Sequence, residues 1–207
     1  GAYAQTYKGY SSKAQLGSIM ETMQGKKEVS DSLEASSFLG TGLHEKIETK
    51  MKEDGAEIER LIRFYDDRAG EITGHIDAIL TDASGSKSPV DIKTVGNNVK
   101  SAISRVVGKG GEANYEDIKD KMKGGYSKYK IEEVRSQLNL YMAALKEGGE
   151  EVKDAEVHFY DAFGEGNDKP IKIRFKFDEA LLKRDMAAIA AAREQLLKEN
   201  KTFAKTG

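Results

Sequence analysis

The chain has 207 residues, of which 33% are charged and 38% hydrophobic, and its formal net charge is −2 at pH 7. These values predict one globular domain over residues 1–207, in which any basic surface that binds nucleic acid must be local. Cysteine is absent, which excludes disulfides, thiolate zinc sites and iron–sulfur clusters. No stretch has the apolar length of a membrane span or a signal peptide, so a cytoplasmic protein is expected.

Residues 1–30 are weakly patterned and are interpreted as an N-terminal arm. Residues 31–54 carry apolar side chains at helical spacing and are predicted to form a helix. Gly40 and Gly42 lie within this segment. Because each glycine costs a helix about 1 kcal/mol relative to alanine, a break near residue 40 or a close approach of backbone or ligand is expected.

His44 and Glu48 follow in the same segment and are four residues apart. This spacing places both side chains on one face of the helix. Taken alone, a histidine in such a position is more often a surface or packing residue than a ligand.

Three strands are predicted at 57–65, 71–80 and 88–95, and the polar turns between them indicate a meander. In the second strand, alternation separates the carboxylate of Asp77 from an apolar face. That face comprises Ile72, Gly74, Ile76, Ala78 and Leu80. In the third strand Asp91 and Lys93 share one face, and Val90 and Ile92 share the other. Pairing of the strands would therefore bring two carboxylates and one ammonium to one side of the sheet.

This convergence of charges suits metal-dependent chemistry on phosphate esters. Two adjacent carboxylates repel, so one of them stays protonated unless a cation lies between them. Mg²⁺ and Mn²⁺ prefer oxygen ligands, and such an ion can polarise a phosphoryl oxygen and acidify bound water. Lys93 could stabilise negative charge on the phosphate. The other interpretation of this stretch is a hairpin whose outer face is merely solvated.

Residues 96–130 contain six glycines and eight basic against four acidic residues, a local surplus of four positive charges. The segment is interpreted as a basic insertion rich in glycine and lysine. Beside an active site such a loop often binds substrate, and its Lys100 and Arg105 are candidate contacts to DNA phosphates. An ordinary solvated insertion explains the composition equally well.

A helix with a strong apolar stripe is predicted at 130–147. It carries Gln137 and Tyr141, one turn apart, and Arg135 on a different flank. Two further strands are expected at 155–163 and 170–177. The C-terminal helix, about 178–200, begins at an Asp178 cap, and Lys201 to Gly207 is expected to be a frayed tail.

This order of elements and motifs resembles the PD-(D/E)XK nuclease superfamily, and within it the RecB-type and phage-type exonucleases. The resemblance covers about residues 36–163. It depends on four motifs, which occur in the family's order: Gly40-Thr-Gly-Leu-His44 with Glu48, Gly74-His-Ile-Asp77, Asp91-Ile-Lys93 and Gln137-Leu-Asn-Leu-Tyr141. It implies an α/β protein with a restriction-endonuclease-like αβββαβ core, in which helices flank a mixed central sheet. Many RecB-type relatives carry four iron–sulfur cysteines, and this chain has none.

The resemblance also implies roles for individual residues. His44, Asp77, Asp91 and the carbonyl of Ile92 would bind one or two Mg²⁺ or Mn²⁺ ions. Asp77, Asp91, Lys93 and Glu48 would form the catalytic group. The expected DNA contacts are Gln137, Tyr141, Arg135, Lys100 and Arg105.

The implied function is a metal-dependent DNA exonuclease of phage or mobile-element recombination or replication, in the cytoplasm of a bacterium or a phage-infected host. The expected partners are DNA, bound largely without regard to sequence, and a recombinase, a single-strand-binding protein or a helicase. Two alternatives remain at this level. One is a structure-specific or restriction-like endonuclease of the same superfamily, and the other is a non-catalytic DNA-binding module.

Overall fold

A computed structural model of the protein describes the backbone of residues 31–164 and 168–206, and the side chains of 42–164 and 168–198. The predicted N-terminal arm, 1–30, lies outside the described residues. The helices are α1 (Asp31–Glu53), α2 (Asn97–Val107), α3 (Tyr115–Ile118), α4 (Tyr126–Glu147) and α5 (Glu179–Thr206), with a 3₁₀ turn at Lys119–Lys121. The strands are β1 (Glu57–Asp66), β2 (Gly70–Thr81), β3 (Lys87–Val95), β4 (Glu112–Asn114), β5 (Ala155–Asp161) and β6 (Ile171–Phe175).

The strands form one mixed sheet in the order β1-β2-β3-β5-β6-β4. β1, β2 and β3 are the predicted antiparallel meander. β5 pairs in parallel with β3, and β6 returns antiparallel to β5. The expected αβββαβ core with helices around a mixed sheet is therefore confirmed.

Helices cover both faces of the sheet, and most residues of β3 and β5 are buried. On one face Ile47 of α1 packs in a cluster with Ala78, Val90, Ile92 and Tyr160. The other face packs against α4 and α2 in the largest buried cluster of the described chain. A smaller cluster joins α5 to this second side through Ile72, Leu140 and Ile189. The result is a three-layer arrangement with the sheet in the middle.

Alternation along β2 differs from the prediction that its apolar residues share one face. Ile76 and Ile79 pack in the α4-side cluster, whereas Ala78 packs against α1. The change of face follows Asp77, where the β1–β2 ladder is interrupted. Ile58 pairs with Ala78 and Arg60 pairs with Ile76, but the residues between them, Glu59 and Asp77, are not paired. At the skipped position in β1, Glu59 has a φ of +51°, an uncommon conformation for a side chain of this size.

Two other local predictions are wrong. α1 runs without a break through Gly40 and Gly42. The 96–130 segment is not a loop, because it folds into α2, β4, α3 and the 3₁₀ turn before α4 begins at Tyr126. Ile103 and Ile118 anchor these elements in the core.

α5 begins at the predicted cap and is longer than predicted. The carboxylate of Asp178 accepts a hydrogen bond from the amide of Leu181 at 3.0 Å, which satisfies an amide of the first turn. The helix continues to Thr206, where a frayed tail was expected. None of the helices described has the length and apolarity needed to cross a membrane.

Candidate active site

The candidate site lies where the β2–β3 ladder ends. The two strands pair only from Thr81 with Lys87 to Ala78 with Val90. Past that point the amide of Ile92 donates to Oδ2 of Asp77 at 2.7 Å rather than to a backbone carbonyl. Because the amide and the carbonyl of one residue face the same edge of a strand, the Ile92 carbonyl also faces this gap.

His44 joins the gap from α1. Its Nε2 lies 3.2 Å from Oδ2 of Asp77, and its Nδ1 lies 3.1 Å from Oε1 of Glu48. The spacing of four residues holds His44 and Glu48 on the face of α1 beside the end of the ladder. One ligand atom from each of His44, Glu48 and Asp77 lies within 4.8 Å of the others. The fold therefore brings together three of the residues that the sequence motifs singled out.

The electrostatics of this cluster favour a cation between the carboxylates. The hydrogen bond to Asp77 raises the pKa of the His44 imidazole, against the opposing effect of burial. Burial raises the pKa of the Glu48 carboxyl. A proton on His44 and a divalent cation would each place positive charge between the two acids.

Asp91 and Lys93 form the second part of the site. The Asp91 side chain is only 4% exposed, and Lys93 Nζ lies 3.1 Å from its Oδ2. Burial raises the pKa of Asp91 to about 6, partly offset by Lys93. The same Oδ2 is buried and has no hydrogen-bond partner of good geometry among the described residues. An acidic oxygen of this kind has unused capacity for a cation.

Tyr141 and Gln137 of α4 lie beneath the site. The Gln137 amide donates to the Tyr141 hydroxyl at 2.7 Å. The Tyr141 ring packs directly on Gly74, where a Cβ would lie only 3.1 Å from its Cε1. Burial raises the pKa of Tyr141, and the charges of Asp91 and Asp77 raise it further, so the phenol keeps its proton. Tyr141 is 2% exposed and supports Gln137, which is the more accessible of the two.

Glu133 is a buried acidic residue near the site that the motifs did not identify. Burial lowers the pKa of the Lys93 ammonium, but the charges of Asp91, Asp77 and, least of the three, Glu133 outweigh it and raise the pKa. Glu133 stands four residues before Gln137 and eight before Tyr141, so it shares their face of α4. That spacing was the sequence signal from which Glu133 could have been identified.

The three basic residues predicted to contact DNA, Arg135, Lys100 and Arg105, do not lie around the acidic gap. Arg135 pairs with Asp178, at 2.8 Å between Nη2 and Oδ2, and its guanidinium covers the ring of Tyr115 at 4.4 Å. Lys100 Nζ pairs with Asp168 Oδ2 at 2.6 Å. Arg105 is exposed on α2. The structure does not gather these three around Asp91, and their contact with DNA stays a prediction.

The order of strands in the mixed sheet and the helices on both of its faces define the fold, and the same fold occurs among solved structures. Among solved structures, the alkaline exonuclease LHK-Exo from Laribacter hongkongensis has this fold. Its complex with dAMP superposes with a TM-score of 0.59 at 17% identity, covering 99% of this chain and 91% of that one. A second LHK-Exo structure gives the same TM-score at 15% identity, with the same coverage of both chains. No protein-family model and no curated protein sequence matches the chain.

Proposed function

We propose that the protein is a metal-dependent DNA exonuclease that hydrolyses phosphodiester bonds. The observation that carries the proposal is the cluster of His44, Glu48 and Asp77 beside the Asp91–Lys93 pair, at the end of the β2–β3 ladder. The fold shared with an alkaline exonuclease supports the same conclusion. From the resemblance to phage-type exonucleases, we further propose that the reaction serves recombination or replication of a phage or mobile element.

The residues present fit a divalent cation. Carboxylates, an imidazole and a backbone carbonyl are donors that Mg²⁺ and Mn²⁺ accept. Oδ2 of Asp91, which lies 3.1 Å from Lys93 Nζ but has no hydrogen-bond partner of good geometry among the described residues, supplies a further donor. We assign the ion to Asp77, Asp91, His44 and the Ile92 carbonyl, with Glu48 beside it. When bound, the ion would supply Lewis acidity toward a phosphoryl oxygen and would lower the pKa of water.

The protein's own groups have separate roles in the proposed reaction. Lys93, held by Asp91, places a positive charge where negative charge develops on the phosphate. Glu48 holds Nδ1 of His44 and so orients the ring, which would leave Nε2, the nitrogen that faces Asp77, for the ion. Gln137, fixed by Tyr141, is the proposed contact to the DNA backbone near the scissile bond. Contacts of this kind do not depend on base identity, so the expected substrate is DNA of any sequence.

The test compares end-labelled linear DNA with covalently closed circular DNA, in Mg²⁺, in Mn²⁺ and in EDTA. The wild type is expected to degrade only the linear DNA, and only with metal. Lys93→Ala should lose at least about 100-fold in rate, the scale of losing one group that stabilises developing charge. Lys87→Ala, on the same strand but bound to Thr81 at the surface, is the matched control.

Each result has a definite meaning. Full activity of Lys93→Ala would contradict the assignment of these residues as the active site. Cutting of the circle would make the protein an endonuclease, because an exonuclease requires an end. The released label gives the polarity. A recombinase, a single-strand-binding protein or a helicase is the proposed class of protein partner, to be tested by adding each to the reaction.

A further inference from the structure

Two concave surfaces meet at Lys169 and Pro170, away from the acidic gap. The first, here called the α1 groove, has a volume of about 810 Å³ and runs between α1 and the strands β5 and β6. Its basic side chains are Lys46, Lys50, Lys169 and Lys172, and its acidic ones are Glu53, Asp54 and Asp168.

The second surface, here called the α2 groove, has a volume of about 820 Å³ and lies between α2, the 108–111 turn and the start of β6. Lys100, Arg105, Lys109 and Lys169 line it, and no acidic residue does so among the described residues. Arg105, Lys109 and Lys169 are exposed, and none of the three forms an ion pair within the described chain. In a protein of net charge −2, this groove is a local concentration of positive charge.

The two grooves lie on opposite faces of the sheet. Ile47 and Tyr160, which line the α1 groove, belong to the cluster beneath α1. Ile103 anchors α2 in the cluster on the other side. Lys169 and Pro170 come just before β6, at the end of the sheet where β3 and β5 also finish. A ligand that follows both grooves therefore turns around the end of the sheet.

We propose that the two grooves form one path for the sugar–phosphate backbone of single-stranded DNA. The basic side chains of the α2 groove that form no ion pair within the described chain, Arg105, Lys109 and Lys169, match a chain of phosphates, and in the α1 groove the four lysines exceed the three acidic side chains by one. The turn favours a single strand, because duplex DNA has a persistence length of about 150 base pairs and resists so sharp a bend. His158, in the α1 groove, adds a polar group: its side chain is 5% exposed, and its Nε2 lies 3.8 Å from Oε2 of Glu156 and has no hydrogen-bond partner among the described residues.

This inference extends the proposed function and rests on it in one respect, because the proposed exonuclease reaction is what would supply the single strand. An exonuclease that removes one strand of a duplex leaves the other unpaired. Asn97, at the edge of the α2 groove, begins the helix that follows β3, the strand that carries Asp91 and Lys93, so the chain itself connects the path to the site. The unpaired strand would thus be held by the enzyme that produced it.

The test measures binding of a fluorescent single-stranded oligonucleotide by anisotropy across a salt series, with EDTA present to prevent cleavage. The variant combines Arg105→Gln, Lys109→Gln and Lys169→Gln. Each phosphate contact contributes about 0.7 to the slope of log affinity against log salt for a single strand, so the variant's slope should be shallower by about 2. Where the triple variant does not fold, the pair Lys109→Gln and Lys169→Gln replaces it, with an expected change of about 1.4.

A matched control removes three exposed lysines outside both grooves, by Lys153→Gln, Lys176→Gln and Lys183→Gln. Both triple variants change the net charge from −2 to −5, so a general effect of charge would weaken them equally. An unchanged slope, an equal change in the control, or an equal loss of affinity for a duplex with closed ends would each overturn the proposal. Because no cleavage is involved, single-strand binding with the expected slope in a protein that cuts no DNA would remove the proposed function and leave this inference standing.

Discussion

The Asp77 carboxylate accepts a hydrogen bond from the amide of Ile92 at 2.7 Å and lies 3.2 Å from the imidazole of His44. A single side chain thus connects α1, β2 and β3 where the β2–β3 ladder ends. Asp77 therefore has two roles, as a hydrogen-bond acceptor for the Ile92 amide and as a negative charge at the site. Substitution by asparagine separates them, because an amide side chain can still accept a hydrogen bond but carries no charge.

Asp77→Asn is therefore expected to fold normally and to bind Mn²⁺ poorly. The Ile92 amide keeps an acceptor, while the cation loses a charged ligand. In the wild type, saturating Mn²⁺ should raise the melting temperature, since a ligand that binds only the folded state stabilises it. Thermal unfolding with and without Mn²⁺ should show that this rise is largely absent in Asp77→Asn. Asp67→Asn, at an exposed turn, is the control, and an equal rise in all three proteins would contradict the assignment.

Gly74→Ala tests the packing beneath the site. Its new Cβ would lie 3.1 Å from Cε1 of Tyr141 and 3.8 Å from Cδ1 of Ile62, so the buried ring has to move. We expect a loss of about 1–3 kcal/mol in the free energy of unfolding, as in other overpacked cores. Denaturant unfolding measures it. Gly110→Ala, where a Cβ meets nothing within 4 Å, should change little, and equal losses would show that the contact is not limiting.

The pH dependence of stability should report Asp91. Burial raises the pKa of this carboxyl to about 6 in the folded, metal-free protein, above its unfolded value of about 3.9. The folded state then binds more protons than the unfolded state between these values. The contribution of Asp91 is therefore most favourable below about pH 4 and falls as pH rises to about 6, by about 3 kcal/mol at most.

Urea unfolding in EDTA across this range, for the wild type and Asp91→Asn, isolates the effect. The free energy of unfolding of the wild type should decrease relative to that of Asp91→Asn as pH rises. A constant difference between the two proteins from pH 4 to pH 7 would contradict the raised pKa.

Asn139 should be critical for the docking of α5. It is 1% exposed, it donates to the carbonyl of Asp178 at 2.8 Å, and it accepts from the amide of Asp178 at 2.8 Å. Asn139→Ala leaves both backbone groups without this partner, and we expect it to cost about 2–4 kcal/mol in the free energy of unfolding. Chemical denaturation measures the loss. The exposed Asn98→Ala should cost less than about 0.5 kcal/mol, and similar losses would show that the reciprocal pair is unimportant.

The elements with strong local patterns could be predicted from the sequence. The meander has clear alternation and short turns, and α4 has an uninterrupted apolar stripe. His44 with Glu48, and Gln137 with Tyr141, lie one turn apart, so their proximity is a property of the helix alone. Their position beside Asp77 was available only from the motif order, because spacing within the chain does not specify which helix packs on which strand.

Other features depended on tertiary contacts or on a signal that the glycines obscured. α2 has Val99, Ile103, Val106 and Val107 at helical spacing, but the surrounding glycines and lysines are typical of a loop and obscure this stripe. β4 is three residues long and exists because it pairs with β6. The partners of Arg135 and Lys100 are Asp178 and Asp168, which are distant in the sequence and could not be inferred from it.

The two outer strands of the sheet have a consequence for self-association. β4, at one border, is short, and its Glu112 pairs with Arg174 and Lys172 of the neighbouring strand. β1, at the other border, is rich in charged side chains and is interrupted by the left-handed backbone of Glu59. Short, charged or irregular borders are poor templates for adding a foreign strand. Extension of the sheet from one molecule to the next, the first step toward fibrous aggregates, is therefore disfavoured at both ends.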